Sequence, residues 1–157
     1  MKALWLLAAA LLAGCGAQAA GTSSPAPSSR VTASSGQFRA EAAPARLAAG
    51  GNVHYRLVVK GPVDYEAGCA HTLTVWAEDA GSRQVWSPPV PQFDCLAIMN
   101  RSLGPGETAR FDVDWPTSPT LPAGRYTIHG LFLVALPPGA GARVRENLPP
   151  LQIEITR

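Results

Sequence analysis

Charge of one sign is scarce in this sequence: 13 Lys and Arg residues stand against 11 Asp and Glu, a formal net charge of +2. No basic cluster could follow a phosphate backbone, which excludes nucleic acid as a partner on electrostatic grounds. Long hydrophobic runs are missing too. The apolar stretch from Ala3 to Leu12 has about half of the roughly 20 residues that a membrane-spanning helix needs. Phosphate loops, nucleophile elbows and zinc-helix motifs are absent, so the chain is read as a non-enzyme with no cofactor and no metal. No long segment combines a helical period with caps, and the 15 prolines are scattered along the chain. Very little helix is expected.

What is present begins with an address. Lys2, the apolar stretch and the small residues Leu12-Ala13-Gly14 before Cys15 have the outline of a secretory signal peptide. The four residues ending at Cys15 match the lipobox of bacterial lipoproteins. Residues 1–14 are therefore expected to be removed and Cys15 to be lipidated, giving an exported protein held on the cell membrane or outer membrane through its N-terminal lipid. Ordinary cleavage after Ala17-Gln18-Ala19 is the alternative.

Of three cysteines, the lipid claims Cys15, leaving Cys69 and Cys95 in a compartment that permits disulfides. They are expected to be bonded to each other. Zinc ligation, the competing role, calls for a close cysteine pair or a histidine cluster, and neither is present.

Residues 15–36 are almost entirely Gly, Ala, Ser, Thr, Pro and Gln, a composition that buries too little apolar surface to offset the entropy of ordering. They are expected to form a flexible tether to a single domain over residues 37–157. There the dominant period is two, the signature of half-buried strands. Val53, Tyr55, Leu57 and Val59 alternate with His54, Arg56 and Lys60. Phe111, Val113 and Trp115 oppose Arg110, Asp112 and Asp114; Leu151, Ile153 and Ile155 oppose Gln152, Glu154 and Thr156. Further strands are expected near Phe38–Ala43, His71–Glu78, Arg83–Trp86, Leu96–Arg101 and Arg125–Leu136. The last has apolar residues on both faces and should be central. Turns are expected at Asp79-Ala80-Gly81-Ser82, at Pro105-Gly106 and at Pro122-Ala123-Gly124. About eight short strands with such turns predict an all-β, immunoglobulin-like antiparallel β-sandwich, a small barrel being the alternative.

The motifs Asp79, Gly81, Val85-Trp86-Ser87, Phe93, Leu103, Pro105-Gly106-Glu107, Trp115 and Pro122-Ala123-Gly124-Arg125-Tyr126 resemble, in order and spacing, the BsuPI domain, named after an intracellular proteinase inhibitor. The resemblance covers roughly Leu73 to Val134 and implies the same sandwich and, by the family's name, inhibition of a protease. It fixes no inhibitory loop residue by residue.

Candidate site residues are few. Pro88, Pro89, Val90, Pro91, Gln92 and Phe93 form a proline-dense segment that favours an extended backbone with little entropy left to lose on binding, as a loop for an envelope protein or protease partner requires. A crossover between two sheets would need the same residues. Trp76, Trp86 and Trp115 could form a platform if exposed together. Alternation puts Trp115 in the core and Trp76 on the outward face with Thr74 and Glu78. His54, His71 and His129 stand alone in sequence without flanking acids, while Asp112 and Asp114 read as a solvated strand face. The segment Leu136–Pro149 exceeds a hairpin connection and is expected to project as a mobile loop, with Arg143 and Arg145 open to trypsin.

Overall fold

Alternation in the sequence becomes two-sided strands throughout a computed structural model that describes residues 29–68, 72–89, 98–135 and 144–157. Sheet A consists of β1 (Val31–Ser35), β2 (Phe38–Ala43), β4 (Asn52–Lys60) and β9 (Thr108–Pro116), in the order β1-β2-β4-β9 and antiparallel throughout. Sheet B holds β3 (Arg46–Ala48), β5 (Val63–Gly68), β6 (Leu73–Asp79), β7 (Gln84–Trp86), β8 (Ile98–Leu103), β10 (Gly124–Val134), β11 (Val144–Asn147) and β12 (Leu151–Thr156). The two sheets pack into an immunoglobulin-like sandwich, and no helix occurs among the described residues. The eight expected strands are all present. Four more join them, and one pairing, β3 with β12, is parallel.

Strand β10 is central, as its apolar run predicts. One of its edges pairs with β12 along Gly124–Ile128 and then with β11 along Leu131–Val134. The other pairs with β6 along Tyr126–Phe132 and meets β5 at Val134. The chain crosses from sheet A to sheet B between β2 and β3. There Ala45 donates its N–H to the Ser29 carbonyl at 2.6 Å and accepts from the Glu154 N–H at 2.8 Å. Both of its backbone groups are thereby satisfied at the crossing.

Side chains from both inner faces fill the space between the sheets. Phe132 is fully buried and touches Phe38 at 5.4 Å, Tyr65 at 5.7 Å and Phe111 at 5.3 Å between ring centroids. Burying a side chain of that size stabilises the fold by about 1.5–3 kcal/mol. Trp115 stacks on Trp86 and meets the ring of Tyr126 edge-on. The Tyr126 hydroxyl donates to the Pro122 carbonyl at 2.6 Å, the tyrosine corner of immunoglobulin-like domains. Gly130 lies on the inner face of β10, packed against Leu148 and Tyr55. A Cβ there would lie 2.8 Å from a methyl of Leu148 and 3.0 Å from the Tyr55 hydroxyl.

The expected turns form. Asp79 accepts from the N–H groups of Gly81 and Arg83 at 2.9 and 3.0 Å. These backbone donors, the Arg83 N–H first, and the Arg83 side chain hold its carboxyl below the ordinary range. Gly106, at φ 83°, takes the positive-φ place after Pro105.

Two expectations are corrected. The tether does not extend to Gly36, because Val31–Ser35 form β1 against β2, joined by a tight turn in which Gly36 takes φ 54°. Its serine and threonine suit an outer strand as well as a linker. The segment before β12 is not loop throughout, since β11 pairs Arg145 with Leu133 and Val144 with Val134. Leu148 anchors its end in the core. Cys15, Cys69, Cys95, His71, Arg143 and Val90, Pro91, Gln92 and Phe93 of the proline segment lie outside the described residues.

Candidate recognition face

Period-two strands give each sheet one outward face, and the two outward faces differ in chemistry. On sheet A, register sets Glu41 opposite Arg56 and Arg56 opposite Asp112, with His54 opposite Asp114 in a neighbouring row. Arg56 Nε donates to Asp112 Oδ1 at 2.6 Å. That hydrogen bond, and then the charge of Asp112, raise the Arg56 pKa further above its ordinary value. His54 Nδ1 lies 2.6 Å from Asp114 Oδ1. Arg30 and Arg39 reach Glu41 at 3.2 and 3.0 Å. Arg30, Glu41, Ala43, His54, Arg56 and Asp112 line a cavity of about 230 Å³. Its cations and anions answer one another, so the reading of Asp112 and Asp114 as a solvated, paired surface holds.

On sheet B the outward face carries aromatic rings. Alternation along β6 points Thr74, Trp76 and Glu78 outward, and the register sets Trp76 beside His129 and Glu78 beside Thr127 of β10. The indole stacks on the imidazole with centroids 5.1 Å apart and planes 13° from parallel. Glu78 ties the pair together. Its Oε1 accepts from Trp76 Nε1 at 2.8 Å, and its Oε2 lies 3.4 Å from His129 Nε2. Thr127, Leu131 and Gln152 continue the face on β10 and β12. A stacked pair held by a carboxylate loses little freedom when a ligand lands on it, and an aromatic surface with a polar edge suits protein contact.

Sequence order hides this group. Trp76 is outward as expected, Trp115 is in the core, and Trp86 packs against Trp115 rather than beside Trp76. The three tryptophans therefore form no common platform. The described histidines are not isolated either. Both His54 and His129 face a carboxylate from a neighbouring strand, a proximity that only cross-strand register creates. Of the proline segment, Pro88 and Pro89 follow β7.

No protein-family model matches the chain. No curated protein matches it. Among solved structures, the crystal structure of the C-terminal domain of wzt is similar, with a TM-score of 0.48 and 10% identity over 82% of this chain and 79% of that one. The BsuPI resemblance thus rests on its quoted motifs alone. The described residues contain no group of three or more His, Cys, Asp or Glu side chains that could hold a metal ion. His54 and His129 each lie beside a carboxylate, Asp114 and Glu78.

Proposed function

We propose that this chain is a non-catalytic lipoprotein of the cell envelope, anchored through Cys15, that presents its sandwich for protein recognition on the outward face of sheet B. What supports the recognition role is the Trp76–His129–Glu78 group, an aromatic pair fixed by a carboxylate and mounted on the central strand and its neighbour. Sites on rigid strands keep their geometry, and aromatic side chains dominate the energetics of protein contacts. The anchor reading is supported by the lipobox at Leu12-Ala13-Gly14-Cys15.

The test compares the full chain with Trp76→Ala and His129→Ala in capture from the native envelope. The wild type is expected to retain a protein that both variants release. Equal retention by both variants would remove this face from the reading. Fractionation of Cys15→Ser tests the anchor independently, because that variant should leave the membrane fraction. A protease inhibitor is the second reading, favoured by the motifs shared with the BsuPI domain. It predicts inhibition of a serine protease that proline replacement at Pro88 and Pro89 weakens, and a protease panel at high excess of the chain decides it.

A further inference from the structure

Carboxylates on the two outward faces are balanced differently. Glu41, Asp112 and Glu154 each lie within ion-pair distance of an arginine. Glu78 does not. Its cross-strand neighbours are Gln84 on β7 and Thr127 on β10, and its one ion-pair partner among the described residues is His129, charged only when protonated. The Glu78 side chain is 25% exposed, so solvent reaches a carboxylate that no described arginine or lysine offsets.

That carboxylate has room for another donor. A carboxylate offers about four acceptor positions, whereas the indole N–H of Trp76 takes one and the imidazole faces another. The indole has a second side as well. His129 stacks against one side of the ring. Toward β7 the ladder ends with Trp86 opposite Ala77, so no described strand residue is paired beside Trp76 there. An aromatic face with a carboxylate at its nitrogen edge fits a guanidinium, which stacks on rings and donates from its rim to carboxylates.

We infer that the Trp76–His129–Glu78 group takes an arginine side chain of its protein partner, the guanidinium lying over the indole and donating to Glu78. The inference rests on the reading of this face as a protein-recognition surface and adds the chemistry of what lands there. An acidic segment would meet the like charge of Glu78. An apolar segment would strip water from that carboxylate and supply no donor in its place, which is costly. Arginine supplies both the opposite charge and the donors, and with tryptophan it is enriched among the residues that dominate binding energy at protein interfaces.

The indole N–H signals of the full chain in detergent test this by nuclear magnetic resonance, at a pH of about 8 where an ordinary imidazole is neutral. Trp76→Phe assigns the Trp76 signal. The probes are capped tripeptides: Gly-Arg-Gly, Gly-citrulline-Gly with the same planar shape and no charge, and Gly-Glu-Gly. The arginine peptide should shift the Trp76 signal saturably, with a Kd on the order of millimolar. The citrulline peptide should bind about fivefold more weakly or worse, and the glutamate peptide should leave the signal in place. Glu78→Gln keeps an oxygen that accepts from the indole and removes only the charge. It should weaken the arginine peptide by a similar factor while the Trp86 and Trp115 signals stay where they are, which shows that the variant folds. Three results would overturn the inference: no saturable shift with the arginine peptide, equal binding of the citrulline peptide, or indifference to Glu78→Gln. Capture from the envelope separates this failure from that of the reading beneath it. If Trp76→Ala releases the partner but Glu78→Gln and excess arginine peptide do not, the recognition face stands and the arginine falls. If Trp76→Ala retains the partner, the face falls and the arginine with it.

Discussion

Sheet A pairs β2, β4 and β9 along nearly their whole lengths, whereas the central strand of sheet B divides each edge between two partners. The consequence is local. Continuous pairing makes the outward face of sheet A a regular lattice in which opposite charges meet row by row, and exposed pairs of this kind contribute little to stability. Divided pairing in sheet B sets β6 against the middle of β10, and there Trp76 and His129 are brought together. The regular sheet has neutralised its surface, while the divided sheet has left an aromatic one.

If sheet B is held by the core where its ladders divide, the largest effect should come from the ring that joins the sheets. Phe132→Ala removes contacts to Phe38 and Phe111 in sheet A and to Tyr65 in sheet B. The expected loss is about 3–5 kcal/mol in urea unfolding. A loss below about 1 kcal/mol would mean that the cluster repacks and that the ladders alone hold sheet B.

The next effect concerns the open ends of sheet B. Gly68 and Ile98 form the last pair of the β5–β8 ladder, Cys69 follows the first directly, and Cys95 precedes the second by three positions. A bond between these cysteines would fasten a divided sheet where its pairing ends. Mass mapping of the unreduced protein is expected to show it, and its reduction should lower stability by about 3–4 kcal/mol in the chain-entropy model. Two free thiols in material from an oxidising envelope would reject the pairing.

Most of sheet A was legible in the sequence because its strands bury one face: β2 and β4 fall where alternation puts them. The strands that escaped notice lack that contrast. In β1 the composition is that of a linker, and in β11 the run Val144-Arg145-Glu146-Asn147 offers one apolar residue. In β5 the alternation of Val63, Tyr65 and Ala67 is short, and Glu66 on the opposite face is buried as well. For the candidate recognition face, outward Trp76 could be read from period two. His129 could not be placed beside it, because register between strands distant in sequence depends on how the whole sandwich closes.

Smaller effects separate two tyrosines that sit in the same core with opposite hydrogen-bond fates. Tyr126 of sheet B donates to Pro122, so Tyr126→Phe should cost about 1–1.5 kcal/mol and loosen the turn before β10. Tyr55 of sheet A is 3% exposed, and its hydroxyl has no hydrogen-bond partner among the described residues. An unmet buried hydroxyl costs about 1–3 kcal/mol, so Tyr55→Phe should leave stability unchanged or raise it by about 1 kcal/mol. The alkaline limb provides a second readout. Burial raises the Tyr55 pKa above its ordinary value, so the unfolded chain loses that proton first. The stability it confers is complete below the unfolded value of about 10 and declines as pH rises past it. Burial raises the Tyr126 pKa as well, so Tyr55→Phe should remove part of the wild type's alkaline decline and Tyr126→Phe another part. Denaturant midpoints measured between neutral and strongly alkaline pH check both. If Tyr55→Phe destabilises at neutral pH and leaves the alkaline decline intact, the hydroxyl has a partner, and the contrast between the two tyrosines does not hold.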